Sequence, residues 1–385
     1  MTESKIRAKK IVYLSFATLP SRAAHAVNMM KMCEALAKIG HDVILFANCQ
    51  AAEQDIMHFY GIKHDFSLRK IRLINIRFAG RIISFFKMIF IARRMDADIV
   101  YTRDLLNGMS ATILKLPFIF ELHEIPQSFF RKVLLKRIMK NTYCMRFVFI
   151  SAEMESLVQE KFGRDLKNLS TCVAHDAVDI DSFQIGPAQM KTLRQQLELP
   201  QDIFLAGYSG SLFKGRGLDI ILEIARSLKT IKFLIIGGEG KYLEDFQKKA
   251  RKTHDNILSI GYKPFREIPR YLLACDLLLM PYQEQVLHRQ KKHDTVLYMS
   301  PLKMFEYMAT GKPIISSRIS VLQEILKDGK NAVLVTPYDS KKWVEAIKTI
   351  KNDRESASRI GRQALQDAKK HTWDRRTKEI LAGLL

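Results

Sequence analysis

The sequence predicts an α/β protein made of two successive doubly wound parallel sheets, and two observations carry that expectation. Short, β-branched, nearly uncharged runs alternate with apolar-faced helical stretches along the whole chain. Strands of that composition are buried on both faces, which requires helices on each side of the sheet. The alternation lapses once near the middle, at 184–202 (QIGPAQMKTLRQQLELPQD), a polar stretch with two prolines and one helical patch. A lapse of that kind marks a domain boundary, and 385 residues suffice for a sizeable core on either side. The expected first domain is 1–186.

The first domain opens with KIVYLSFA (10–17), β-branched and uncharged after Lys10, as a central parallel strand should be. The loop LPSRAAH leads into AVNMMKMCEALAKIG, an apolar-faced helix that Gly40 can end, and DVILFAN is the next strand. Right-handed crossover places the intervening loop at the carboxyl edge of the sheet. No G-x-G-x-x-G occurs there, which speaks against a dinucleotide cofactor. Further strands are expected at 71–78, 98–104, 117–124, 147–153 and 169–178. His123 and Glu124 close the one at 117–124 (PFIFELHE), the end at which open α/β sheets bind ligands.

Two stretches carry cations and no acids: eight Lys and Arg in 66–95, and six in 125–152. The first contains RIISFFKMIFIARRM (81–95) and the second SFFRKVLLKRIMKNTYCMRF. Bulky apolar side chains between cations suit a helix lying on anionic lipid, with Phe129, Phe130, Leu134 and Leu135 entering the interface. The alternative is a helix covering the sheet with its cations in water.

The second domain repeats the alternation: IFLAGYSG, LDIILEIARSL, IKFLIIGGEG, ILSIGY, LLLMPY, PIISS and AVLVTP. Its first loop, GSLFKGRG, has Gly210, Gly215 and Gly217 for close backbone approach, with Lys214 and Arg216 as cations for a diphosphate. The most informative stretch is MSPLKMFEYMATGKPIISS (299–317). Ser300 is placed to cap a helix, Pro301 to occupy its first position, and Gly311 with Pro313 to end it. The free N–H groups of Leu302 and Lys303 then form an anion site, strengthened by the helix dipole. Glu306 lies one turn deeper on the same face, where it can accept hydrogen bonds from a vicinal diol. Phosphate first and diol next suggests a nucleotide; the alternative is a capped structural helix with a solvated glutamate. The loop at 283–298, long and charged, precedes this helix as a lid would.

Composition bounds the partners. With 47% hydrophobic and 26% charged residues the chain is globular. A net charge of +22 implies an acidic partner: nucleic acid, anionic lipid or a phosphorylated substrate. Five scattered cysteines without a CxxC pair favour a reducing compartment and argue against a zinc ribbon. The first ten residues, MTESKIRAKK, lack the apolar region of a signal peptide, and no run reaches the roughly 18 apolar residues of a spanning helix. The expected location is the cytoplasm, free or peripheral on the inner face of the membrane.

SPLKMFEYMATGKPII resembles the donor-binding segment of the retaining glycosyltransferases of family 4, which have the GT-B fold: two Rossmann-like domains with a cleft between them. The resemblance runs nearly the whole chain and is strongest over 203–385. It implies a donor domain at 187–371, and a closing helix at 372–385 (HTWDRRTKEILAGLL here, within 371–385) that crosses back to the first domain. Glu306 matches the family's ribose-binding glutamate, while its partner eight positions earlier falls on Tyr298. Arg216 occupies the family's Lys-Gly lysine position, and the family's earlier arginine aligns with Ser211, leaving Lys214 to share the phosphate charge. Ala23 and Ala24 stand where the family has Gly-Gly. His123 matches the histidine that contacts the donor sugar. Gly238 and Glu239 of GGEG would approach the base and ribose, and Tyr262, after Gly261, the base.

The resemblance implies a metal-independent hexosyltransferase that takes a sugar from a nucleotide diphosphate and needs no cofactor. His123, Arg216 and Glu306 are the catalytic candidates; Gly210, Ser211, Lys214, Gly238, Glu239, Tyr262, Ser300, Leu302 and Lys303 are the donor-binding ones. The implied acceptor is a saccharide, in particular a lipid-linked saccharide of an envelope polymer such as lipopolysaccharide, because family members with basic, aromatic-rich first domains commonly use one. Other GT-B activities, such as a sugar epimerase, or a degenerate nucleotide-sugar binder lacking the carboxylate at 298, stay open. Nucleic-acid binding rests on charge alone, without a recognisable module, and is not expected.

Overall fold

The computed structural model describes residues 8–71, 90–91, 93–163, 166, 169–252, 255–285 and 295–384. Apolar runs form its strands. β1 (Lys10–Leu19), β2 (Asp42–Cys49), β3 (Ser67–Lys70), β4 (Ile99–Thr102), β5 (Phe118–Leu122), β6 (Cys144–Phe149) and β7 (Thr171–Val173) make one sheet, ordered β3-β2-β1-β4-β5-β6-β7. All pairings are parallel; Ile11 of β1, for instance, lies opposite Val43 on one side and Ile99 on the other. Ile11, Val12, Tyr13 and Leu14 are fully buried because helices cover both faces, so no polar alternation is needed.

A second sheet contains β8 (Phe204–Ser209), β9 (Ile231–Ile236), β10 (Ile257–Gly261), β11 (Leu277–Met280), β12 (Ile314–Ser317) and β13 (Val333–Val335), ordered β10-β9-β8-β11-β12-β13 and again parallel. In each sheet the first strand is central and later strands are added outward on both sides. This creates a switch point, between β1 and β4 and between β8 and β11, where loops diverge and a ligand fits at the carboxyl ends.

The chain divides into two compact units, residues 1–176 with 373–385, and residues 177–372. The first boundary therefore falls ahead of the expected 186/187. The polar stretch does not act as a free linker, because its helix Pro187–Gln196 is anchored in the second unit. Leu193 is buried there, and Arg194 donates to the Ala274 carbonyl at 2.9 Å and to Asp276 Oδ2 at 2.7 Å. The terminal helix Trp373–Leu381 belongs to the first unit and packs on helix Ala24–Lys38, with Lys38 Nζ 2.7 Å from Asp374.

The helix Phe129–Met139 corrects one expectation. Leu134 and Leu135 are buried with Ile138 and Met139, so they face the core and cannot enter a lipid interface. Phe129 and Phe130, at 84% and 58% exposed, remain outside together with Arg131, Lys132, Lys136 and Arg137. The strand expected at 71–78 and the helix at 81–95 lie largely outside the described residues, as does most of the loop at 283–298. Among the described residues no helix is long and apolar enough to cross a membrane.

Candidate functional site

Two clusters of buried polar groups stand at strand ends, one in each unit. In the second unit, neighbouring strand ends are tied by the backbone: Gly210 N–H donates to Ile236 O at 2.9 Å and Gly237 N–H to Gly261 O at 2.7 Å. A side chain at Gly237 or Gly238 would collide with Gly210 O at 2.2 Å or Leu212 Cδ1 at 2.4 Å. The glycines of GGEG thus let the loop after β9 lie on the loop after β8. Gly217, at φ +80°, begins helix Leu218–Ser227; a Cβ there would sit 1.7 Å from the Pro281 carbonyl oxygen. That contact brings the loops on either side of the switch point together.

Lys303 enters the same place from helix Leu302–Ala309. Its ammonium is 4.0 Å from the Tyr208 ring centre and 5.3 Å from that of Tyr282. A Cβ on residue 210 would lie 2.6 Å from Lys303 Nζ, so the glycine leaves room for the ammonium. Arg216 stacks on Tyr282 at 5.1 Å and donates from Nη1 to its hydroxyl at 2.9 Å, while its Nε is buried with no hydrogen-bond partner among the described residues. Burial, and then Arg216, push the Lys303 ammonium well below its ordinary range, with Glu306 opposing. Burial raises the Glu306 carboxyl to about 7, against the pull of Lys303. Two cations on aromatic faces at a helix start, held where charge is costly, form a site that an anion would stabilise.

The cap differs from expectation. Pro301 occupies the cap position and makes no side-chain cap bond, so the helix starts at Leu302 and Ser300 lies outside it, buried. Proline has no side-chain acceptor to offer the first turn, which leaves that end to other partners. Gly311, at φ +68°, ends the helix as expected.

The fold thus gathers Gly210, Arg216, Lys303, Glu306 and the start of the helix at Leu302. Gly238 reaches them through the loop contact, and Tyr262 follows Gly261 beside it. Ser211 accepts a hydrogen bond from the Tyr208 hydroxyl on its carbonyl at 2.8 Å. Lys214 and Glu239 are exposed, in the turn before Gly215 and at the start of helix Gly240–Arg251. Tyr298, in place of a carboxylate, is buried. Tyr208 and Tyr282 escaped the sequence reading, because each reads as one more apolar residue at a strand end.

In the first unit His123 directly follows β5. Its Nε2 meets Glu121 Oε1, which also accepts from Arg376 Nη2 at 2.8 Å; the Tyr101 hydroxyl donates to Glu121 Oε2. Arg376, from helix Trp373–Leu381, also donates to the carbonyls of His175 at 2.8 Å and Ala174 at 3.2 Å. Close by, Asn28 Nδ2 donates to Asp176 Oδ1 at 2.6 Å, and Arg103 Nη1 to Asn28 Oδ1 at 3.4 Å. Burial raises the Asp176 carboxyl to about 6, with Arg376 opposing. Burial opposes ionisation of Glu121, but Arg376 and His123 outweigh it and hold the carboxyl well below its usual range. Burial, then Arg103, lower His123 to about 4 although Glu121 pulls upward, so the imidazole is neutral at pH 7. Glu121 and Arg376 were also missed. The signal available was a carboxylate inside an apolar strand, which demands a partner. Among the described residues no group of three or more His, Cys, Asp or Glu is arranged to hold a metal ion.

Two sequence families match the chain: "Glycosyl transferases group 1" over residues 189–367 and "Glycosyltransferase Family 4" over 26–182. The D-inositol 3-phosphate glycosyltransferase of Corynebacterium urealyticum is 23% identical over 273 residues, 67% of this chain and 60% of that protein. The chain spans about half the length of the curated relatives it matches. Among solved structures, Anabaena Alr3699/HepE in complex with UDP-glucose gives a TM-score of 0.77 at 17% identity, covering 98% of this chain and 99% of that one. WaaG, a glycosyltransferase involved in lipopolysaccharide biosynthesis, gives 0.69 at 12% identity, covering 97% and 100%. At such identities the structural likeness is one of fold.

Proposed function

Because this GT-B chain belongs to glycosyltransferase family 4, we propose that it moves a sugar from a nucleotide-diphosphate sugar to an acceptor, with retention at the anomeric carbon. The observation that carries the proposal is the Lys303 ammonium, seated on Tyr208 beside Arg216 at the start of a helix whose next turn bears Glu306. As the bond from sugar to diphosphate breaks, negative charge grows on the leaving phosphate. Lys303, Arg216 and the helix N–H groups are preorganised for that charge, so no divalent ion is required of them. Glu306 accepts hydrogen bonds from the ribose diol, and His123 contacts the transferred sugar. The leaving phosphate itself takes the acceptor's proton.

The proposed acceptor is a lipid-linked saccharide of an envelope polymer, such as lipopolysaccharide, used at the inner face of the membrane. What supports this is the solvent-facing side of helix Phe129–Met139, where two exposed phenylalanines sit among exposed cations and no acid lies on the helix. The role of WaaG in lipopolysaccharide biosynthesis points the same way.

Thermal unfolding with UDP-, GDP- and ADP-sugars tests the donor reading, since a ligand bound only by the folded state raises the melting temperature. One of them should raise it and then release its nucleoside diphosphate when an acceptor is added. No shift with any donor removes the proposal. A shift with no turnover against any acceptor leaves a nucleotide-sugar binder, the reading that a buried Tyr298 in place of a carboxylate favours.

A further inference from the structure

We propose that Glu121, Tyr101 and Arg376 form a buried clamp that fixes the orientation and tautomer of His123, so that the imidazole meets substrate through Nδ1 as a hydrogen-bond acceptor. The inference rests on the reading of His123 as the sugar-contacting residue, and extends it to residues that no motif assigns. Glu121 is completely buried, and both of its carboxylate oxygens are taken: Oε2 by the Tyr101 hydroxyl, Oε1 by His123 Nε2 and Arg376 Nη2. An ionised carboxylate only accepts, so the proton on the imidazole belongs to Nε2. That leaves the lone pair on Nδ1.

Arg376 decides the charge. A lone buried carboxylate beside an imidazole would draw a second proton onto it and turn both ring nitrogens into donors. Here the guanidinium, itself anchored on the Ala174 and His175 carbonyls, already matches the Glu121 charge. The positive charge of Arg103, following β4, also acts on the ring, and the charge of Asp176, after β7, acts on Arg376. His123 stays neutral and holds one tautomer. A neutral acceptor suits a sugar hydroxyl, which can donate to it; an imidazolium could not accept. Glu121, Tyr101 and Arg376 are thus positioning residues that act through His123.

The test is the ¹⁵N ring spectrum of His123 in the full chain, assigned with His123→Asn, followed from pH 4 to 8. In wild type one neutral tautomer with the proton on Nε2 should persist down to about pH 5. In Glu121→Gln, nearly isosteric, that single tautomer should give way to a mixture. In Arg376→Met the ring should titrate above about pH 6, with Arg376→Lys restoring the low value. Should Arg376→Met fail to fold, Glu121→Gln and Arg376→Lys decide the matter. A wild-type ring titrating near 6.5, or a tautomer and titration untouched by Glu121→Gln, overturns the clamp. Turnover is a separate arm. Clamp variants should lower kcat and move its acid limb while leaving nucleoside diphosphate affinity unchanged. If His123→Ala retains full turnover while the spectra behave as stated, the sugar contact is wrong and the clamp stands.

Discussion

Glu306→Gln separates what the proposed nucleotide site costs from what it does. The carboxyl is buried, and burial lifts it from the ordinary 4.5 to about 7. At roughly 1.4 kcal/mol per pH unit, holding it ionised in the folded state costs about 3 kcal/mol. Because the folded carboxyl keeps its proton more tightly than the unfolded one, wild-type stability falls as pH rises from 4.5 to 7 and is level above. Glutamine removes the charge and keeps the shape. The variant should therefore match wild type near pH 4.5 and exceed it by up to about 3 kcal/mol at pH 8. Nucleoside diphosphate binding should move the other way, weakening by roughly 1.5–3 kcal/mol as charged hydrogen bonds to the diol are lost. Urea unfolding at pH 4.5, 6 and 8, with calorimetric titration of UDP, GDP and ADP at pH 8, reads both. A variant no more stable at pH 8 than at pH 4.5 relative to wild type refutes the buried-carboxylate argument. Unchanged affinity removes Glu306 from the proposed nucleotide site.

Three further outcomes are expected. Arg216→Ala should lower turnover by roughly 10- to 100-fold, in line with one charged hydrogen bond, and Arg216→Lys by less; equal activity of both with wild type would end its phosphate role. Transfer should persist in excess chelator, and loss of activity restored by Mn²⁺ or Mg²⁺ would contradict the metal-independent scheme. Vesicles with 30% anionic lipid should pellet the protein at low salt. Changing Arg131, Lys132, Lys136 and Arg137 to Ser should weaken that binding by up to about 4 kcal/mol, near 1 kcal/mol per cation, and binding indifferent to salt, lipid charge and these residues would leave a solvated helix face.

The strands were legible because a fully buried parallel strand cannot alternate, so KIVYLSFA or LLLMPY admits few other readings. The loops of the second unit were legible for a related reason. Glycines where φ is positive or a neighbouring backbone presses, as at 210, 217 and 238, leave a mark that no other residue type can replace. The inward face of helix Phe129–Met139 was legible too, but on a different period. Leu134, Leu135, Ile138 and Met139 follow the i, i+1, i+4, i+5 spacing of a core stripe, and counting bulky residues without that spacing assigns Leu134 and Leu135 to the wrong side.

The His123 cluster marks where local patterns stop. Glu121 and Arg376 are 255 positions apart, and nothing near either residue names the other. What the sequence does carry is an unmet need: a glutamate between Phe120 and Leu122, in a strand buried along its whole length, must find its counter-charge or lose its own. The terminal helix meets that need with an arginine that is itself almost wholly buried, so each charge offsets the other's burial. Neutralising either alone leaves the other buried with weaker compensation, from His123 for Glu121 and from Asp176 for Arg376. The joint replacement Glu121→Gln with Arg376→Met should thus cost the fold less than the sum of the two single changes, because neither variant side chain leaves a bare charge behind. Urea unfolding of the four proteins measures that coupling directly, and strict additivity would mean that the two residues do not depend on each other.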